Sequence, residues 1–296
     1  MDFKAIIKEY QDIINNELEK YVITNECPEK LLNESMAYSL MAGGKRLRPI
    51  LILQTYKLFK NDYEKCFPFV VATEMIHNFS LIHDDLPAID DDDLRHGKLT
   101  NHKKFNEATA ILAGDGLLNS AYMLISKDLL NTTDIEEQRL KIKAFNELSM
   151  AIDRVIAGEY VDTEFEGKEI SNEYLEYMHK NKTGEFLKAS ARIGAILAGA
   201  KEEEIDVVSK YAEKIGLTFQ IRDDILSEIG DKNILGKPVG NDKEKGKCTY
   251  VTKYGLERAQ QILDNLTNEA IELANRYNEN GEFFKEFAIY IKNREK

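Results

Sequence analysis

The sequence predicts an all-α protein, one domain over residues 1–296 made of ten or more helices. Apolar residues recur at three-four spacing through nearly the whole chain, the mark of one-sided helices. Strand signals are nearly absent: no Val/Ile/Thr run alternates with polar residues, and no hairpin dipeptide is flanked by one. The chain has 296 residues, 43% hydrophobic and 31% charged, enough for a large core under a polar surface. No repeat, linker or low-complexity tract divides it.

The first helix is marked by the stripe Phe3, Ile6, Ile7, Tyr10, Ile13, Ile14 and Leu18. A second is expected over 29–41, stopping at Gly43-Gly44. In the stretch GGKRLRPILIL that follows, Pro49 suits the first turn of a new helix, where its missing N–H costs nothing. Lys45, Arg46 and Arg48 are therefore expected in a glycine loop beside a helix N-terminus, a good place for an anion. Alone, two glycines and basic residues more often make only a turn. A long, almost wholly apolar helix over 67–85 should be central and buried, with Asp84 and Asp85 at its C-terminal end and Pro87 at the exit. Helices over 105–130 (with Gly114 and Gly116) and 135–165 (with Gly158) flank a break at Asn131-Thr132-Thr133. The helical pattern over 171–199 contains Lys182-Thr183-Gly184. A mid-helix Gly is about 1 kcal/mol worse than Ala, so a kink or close approach should compensate. The helix over 202–229 ends in a second acidic pair, Asp223-Asp224. A polar, Lys-rich loop over 230–247 follows, Thr249 starts the next segment, and helices over 256–277 and 283–291 complete the chain.

Net charge is -12, from 52 acidic and 40 basic side chains, which disfavours nucleic acid or an anionic membrane as a partner. A small anionic ligand is not disfavoured, because local basic clusters act against the global sign. The three cysteines are odd in number, widely spaced and form no metal motif, which suits a reduced, cytoplasmic protein. The start is amphipathic and carries acids, unlike a signal peptide. No apolar run approaches bilayer-spanning length, so no membrane span is expected.

The chemistry concentrates in residues 83–98, HDDLPAIDDDDLRHGK. Six aspartates repel one another there unless something positive sits among them. An Asp run alone is more often a solvated loop. Yet Phe79, Leu81 and Ile82 lead into this one, and hard cations such as Mg2+ bind through one or two carboxylates plus substrate phosphates. The second pair changes the odds. SLIHDD and FQIRDD are similar lead-ins, and a carboxylate at a helix C-terminus faces the negative end of the dipole at roughly 0.3–1 kcal/mol. Two such cases, each followed by a loop rich in Lys and Arg, suggest a cation between carboxylates and phosphate.

GGKRLRP, HDDLPAIDDDDLRHGK, KTG, FQIRDDIL and LGKPVGNDKEKGKCTY, in this order, resemble the trans-isoprenyl diphosphate synthase (polyprenyl synthetase) family. The likeness is strongest to its bacterial farnesyl diphosphate synthase branch, with the longer DDxxxxD form at Asp84, Asp85 and Asp90. It covers nearly the whole chain. It implies an isoprenoid synthase helical bundle with a central active-site cavity, a homodimer, and Mg2+ as three ions bound with substrate. The implied reaction joins isopentenyl diphosphate to dimethylallyl diphosphate and then geranyl diphosphate, giving farnesyl diphosphate.

Residue by residue, the resemblance implies Asp84, Asp90 and Asp223 as direct metal ligands, with Asp85 and Asp224 supporting. Arg95, Lys182, Lys237 and Lys247 hold the departing diphosphate; Lys45, Arg48 and His77 hold isopentenyl diphosphate. Thr183 and Gln220 set oxygen dipoles against the allylic cation, and Asp162 supports them. The departing diphosphate is the base. A lone His on an apolar helix is more often a core residue, Lys243 and Lys245 read as solvated surface, and Gln220 could cap a buried polar group. Phe79 lies five residues before Asp84, roughly 7.5 Å along the helix, where its ring would stop chain growth at farnesyl; Ser80 leaves the other side open.

Four positions depart from the family pattern. His96 stands where Arg helps hold isopentenyl diphosphate, which implies weaker binding or a steeper pH dependence. Ser227 replaces the third aspartate of the second motif, Glu159 replaces a Gln, and Glu185 a small apolar residue. The competing readings are the same chemistry with a geranyl or geranylgeranyl product, a class I terpene cyclase, and a non-catalytic prenyl-diphosphate-binding subunit. A cyclase has no use for a second diphosphate site at Lys45, Arg48 and His77, and its NDxxSxxxE motif is missing.

Overall fold

The computed structural model describes residues 2–23, 25–168, 170–229 and 249–294. It is all-helical apart from one two-stranded hairpin among these residues. The backbone divides into two compact units, residues 1–53 with 61–145, and residues 54–60 with 146–296.

In the first unit, α1 (Phe3–Glu19) starts where the Asp2 carboxylate accepts the Lys4 N–H, and it buries Ile7, Tyr10, Ile14 and Leu18, one face of the expected stripe. α2 (Lys30–Leu40) follows. α3 (Leu47–Lys57) carries Pro49 in its first turn, and Ile50, Leu51, Ile52 and Leu53 are all fully buried. α4 (Phe67–Asp84) is the central helix, with eleven buried residues and Pro68 in its first turn. α5 (Asn101–Lys104) is one turn long. α6 (Glu107–Asn131) presents Ala110, Ala113, Gly114, Leu117 and Ala121 inward. Small residues let α6 lie close on α4: a Cβ on Gly114 would stand 2.2 Å from the ring Nε2 of His83. By length and composition alone α6 could cross a membrane. A third of its apolar window is buried against the core, and it carries Glu107, Asp115, Lys127 and Asp128.

The hairpin is the one strand pair among the described residues, in keeping with the nearly absent strand signals. β1 (Leu94–Arg95) pairs antiparallel with β2 (Lys98–Leu99). Its two-residue loop, His96-Gly97, has φ of 52° and 75°, the mirror-image turn that matches strand twist. The flanking strands are only two residues each, too short for an alternating pattern to register.

In the second unit, α7 (Ile135–Glu164) enters from residue 146 on and α8 (Asn172–His179) starts at the Ser171 cap. Residues Lys180–Gly184 form a π-helical turn, and α9 (Glu185–Leu197) continues from it. The odd residues Lys182-Thr183-Gly184 thus mark the expected disturbance, of a kind common at functional sites. α10 (Glu202–Ile229) opens on three glutamates at its positive end. α11 (Tyr250–Tyr254) begins at a capping box between Thr249 and Thr252. α12 (Leu256–Asn275) and α13 (Glu282–Asn293) complete the unit. Ile221 and Ile225 of α10 share a core cluster with Tyr250, Val251, Ala259 and Leu263.

One expectation fails here. α10 runs on to Ile229, so Asp223-Asp224 do not close it. The dipole penalty fades within the last turn, and it applies to Asp84 and Asp85 but not to the second pair.

Candidate functional site

In the first unit, α4 ends at Asp84 and the chain turns at once. The His83 carbonyl accepts the Leu86 N–H, and the Asp84 carbonyl accepts the Asp90 N–H at 2.9 Å. This closed turn brings the first and last aspartates of the motif side by side. Asp85 is buried and faces inward. Arg95 from the hairpin donates Nε to both of its oxygens, at 2.9 and 2.8 Å, and Nη2 to Oδ1 at 2.5 Å. Asp85 therefore fixes the hairpin, while Asp84 and Asp90 are half-buried at the turn.

The basic residues before α3 separate into two kinds. Arg46 is buried; its guanidinium is bound to the Glu74 carboxylate, the Leu40 carbonyl (2.8 Å) and Asn15 (3.1 Å). It is a strut, and the expectation that it lines an anion site is corrected. Arg48, half-buried in the first turn of α3, lies 3.3 Å from His77 Nε2. Burial pulls the Arg48 pKa down to about 10 against the pull of Glu74 and Asp84, so it remains charged. Burial, then the neighbouring Arg48, Arg95 and Arg46, hold His77 well below the ordinary histidine range. His77 is thus neutral and accepts from Arg48. The exposed His96 at the hairpin tip belongs to the same neighbourhood: a methyl on Gly44 would lie 3.9 Å from its Nε2. Partial desolvation of its ring, then Arg95, Arg46 and Lys45, lower its pKa too. Lys45, Arg48, His77 and His96 thus form one neighbourhood beside the acidic turn, with Asp84 acting on Arg48 and Arg95 on both imidazoles.

Phe79 is buried on α4, its ring edge-on to His83 at 4.9 Å between centroids. Ser80, half-buried, donates its hydroxyl to the His77 carbonyl.

In the second unit, the π turn presents Lys182 to α7. Its ammonium lies 2.8 Å from Glu159 Oε2 and 2.5 Å from Asp162 Oδ2. Gly158 makes room, since a Cβ there would stand 2.3 Å from the Lys182 backbone nitrogen. The Thr183 hydroxyl donates to Gln220 Oε1 at 3.0 Å, Gln220 Nε2 donates to Asp224 Oδ1 at 3.0 Å, and Asp224 Oδ2 accepts the Tyr250 N–H at 2.8 Å. Asp224 is buried and ties α10 to α11, as Asp85 ties α4 to the hairpin. Asp223 is half-exposed and paired with Arg294, 2.6 Å away. Sequence reasoning missed Arg294, which no motif marks, and the buried His179, stacked on Tyr250 and held neutral by a pKa pulled down to about 4 by burial. Lys237, Lys243, Lys245 and Lys247 lie outside the described residues.

Among the described residues no three His, Cys, Asp or Glu side chains stand together as a ready-made metal site. Within each unit the donor chemistry nonetheless suits Mg2+: hard carboxylate oxygens at Asp84 and Asp90 in the first and at Asp223 in the second, few enough to leave coordination places for water and phosphate.

A family model described as polyprenyl synthetase matches residues 29–285. A farnesyl diphosphate synthase of Geobacillus stearothermophilus is 42% identical over 269 residues, 89% of this chain and 88% of that protein. The crystal structure of an FPP/GFPP synthase from Zymomonas mobilis is similar at TM-score 0.86 and 30% identity, covering 98% of this chain and 99% of that one. A geranyltransferase from Helicobacter pylori, complexed with magnesium and isoprenyl diphosphate, is similar at TM-score 0.84 and 27% identity, covering 99% and 97%.

Proposed function

This chain belongs to the polyprenyl synthetase family, and on that premise we propose that it is a Mg2+-dependent prenyltransferase acting as a single domain. It condenses isopentenyl diphosphate head to tail with dimethylallyl diphosphate and then geranyl diphosphate, giving farnesyl diphosphate and diphosphate. The observation that carries the reading is that the first unit sets, beside the acidic turn at Asp84 and Asp90, a second group of anion-binding side chains: cationic Lys45 and Arg48 with the His77 and His96 imidazoles. Two anionic substrates call for two such places; a cyclase calls for one. The identity to a farnesyl diphosphate synthase supports the same product.

Three Mg2+ ions, when bound, supply the positive charge that makes diphosphate a good leaving group. Asp84, Asp90 and Asp223 offer them carboxylate oxygens, and Asp85 and Asp224 hold those aspartates in position. Lys182 and Arg95 bind the allylic diphosphate, Lys182 exchanging Glu159 and Asp162 for phosphate oxygens; Lys237 and Lys247 join them. The Thr183 hydroxyl and Gln220 carbonyl turn oxygen dipoles to the carbon that becomes positive. Lys45 and Arg48 hold isopentenyl diphosphate, with neutral His77 orienting Arg48. The departing diphosphate takes the proton released on bond formation.

The protein is further proposed to be a cytoplasmic homodimer. The first unit exposes Ile111, Leu112 and Met123 on α6, and the second exposes Met150, Ile156 and Tyr160 on α7. Large apolar side chains exposed on a helix in each unit are the kind of surface that a second copy covers.

Incubation with Mg2+, dimethylallyl diphosphate and labelled isopentenyl diphosphate, followed by product chromatography, tests the function. Farnesyl diphosphate is expected; no product overturns the reading. A longer product is the second reading, favoured by the resemblance to an FPP/GFPP synthase, and the same chromatogram separates the two.

A further inference from the structure

Asp223 is gripped by a residue that no motif contains. Arg294 follows α13, and its side chain is only 4% exposed against 46% for Asp223. Three residues of the FQIRDD stretch hold it. Its Nη2 donates to the Phe219 carbonyl at 2.7 Å, its guanidinium carbon sits 3.7 Å over the Phe219 ring, and its own carbonyl accepts Arg222 Nε at 2.9 Å. The same Nη2 lies 2.6 Å from Asp223 Oδ1. The grip is incomplete, since the buried Arg294 Nε finds no acceptor among the described residues.

We propose that Arg294 is a positioning residue that occupies Asp223 in the metal-free protein and surrenders it when Mg2+ binds with diphosphate. The inference rests on the reading of Asp223 as a Mg2+ ligand. A guanidinium and a divalent cation cannot both sit on one carboxylate oxygen, and side by side they repel. Asp85 and Asp224 differ: each is buried in bonds that leave it no comparable exchange. In the metal-free state Arg294 offsets the negative charge of Asp223 and keeps the carboxylate in place. On loading, the contact opens, and Arg294 with the end of α13 loosens from α10. Mg2+ affinity is thereby set partly by a residue 71 positions away in the sequence.

Calorimetry of inorganic pyrophosphate binding across a Mg2+ series tests this without turnover. Arg294→Gln is expected to reach half-maximal binding at about threefold lower Mg2+ or less, the scale of a part-exposed ion pair, while Arg294→Lys stays near wild type. A strut alone would lower Tm and leave the Mg2+ midpoint where it was; that result, or a raised midpoint, overturns the inference while leaving Asp223 as a ligand. Wild-type protein that shows no Mg2+-dependent pyrophosphate binding overturns the ligand reading and the inference with it. Hydrogen exchange on the wild type needs no variant. Amides of α13 should exchange faster once Mg2+ and pyrophosphate are added, and unchanged or slower exchange counts against the proposal.

Discussion

Gly158→Ala places one methyl group where the backbones of α7 and the π turn meet. Its Cβ would lie 2.3 Å from the Lys182 nitrogen, 2.8 Å from the Lys182 Cα and 2.9 Å from the Asn181 carbonyl carbon, where ordinary contact begins at 3.4 Å. None of these atoms is the tip of a flexible side chain, so α7 and the turn must part by about 1 Å. Overpacking of this kind costs about 1–3 kcal/mol, and the gain in helix propensity returns up to about 1 kcal/mol. The net loss lowers Tm by only about 2–6 °C. Turnover should suffer far more. Glu159 and Asp162 ride on α7 and hold Lys182 from it, and a shift near 1 Å in the ammonium proposed to bind diphosphate lowers rates by about 100-fold. Melting and steady-state turnover of the purified variant therefore split: small thermal loss, large kinetic loss. A Gly158→Ala enzyme within about threefold of wild-type turnover refutes the reasoning.

Three further outcomes are expected. Phe79→Ala removes the ring below the acidic turn and should shift products beyond fifteen carbons on chromatography; farnesyl as sole product would make Phe79 core packing only. His96 is neutral near pH 7 because its pKa is lowered, and an arriving diphosphate favours the protonated ring, so binding takes up a proton. The KM for isopentenyl diphosphate should therefore rise from pH 6 to 8, and His96→Arg should flatten the profile at a lower KM; a wild-type profile as flat as the variant's removes His96 from the site. Arg46→Ala strands the buried Glu74 carboxylate, which costs about 3–5 kcal/mol and lowers Tm by about 10 °C; a loss under about 2 °C would place Arg46 outside the core.

The helices themselves were legible because their signals are local. The apolar run of α4, the Thr249 cap and the misfit of Lys182-Thr183-Gly184 all read from neighbours a few residues apart. What was missed depends on distant partners. Nothing in GGKRLRP separates buried Arg46 from half-buried Lys45 and Arg48, because only the position of Glu74 decides which one turns inward. Asp223-Asp224 looked like a helix end because the sequence soon turns polar and rich in Lys and Gly, whereas α10 runs on through Ser227 to Ile229. The motif residues stand out in the sequence, but the side chains that hold them do not: Arg95 on Asp85, Glu159 and Asp162 on Lys182, and Arg294 on Asp223.

The claim that matters most is that aspartates from both motifs serve one Mg2+-dependent ionisation. Turnover of Asp84→Asn and Asp223→Asn at saturating Mg2+ and substrates tests it directly. Each variant should fall by about 10²-fold or more, the scale for losing a group that stabilises developing charge, with its melting temperature near wild type. Either variant turning over at the wild-type rate contradicts the account.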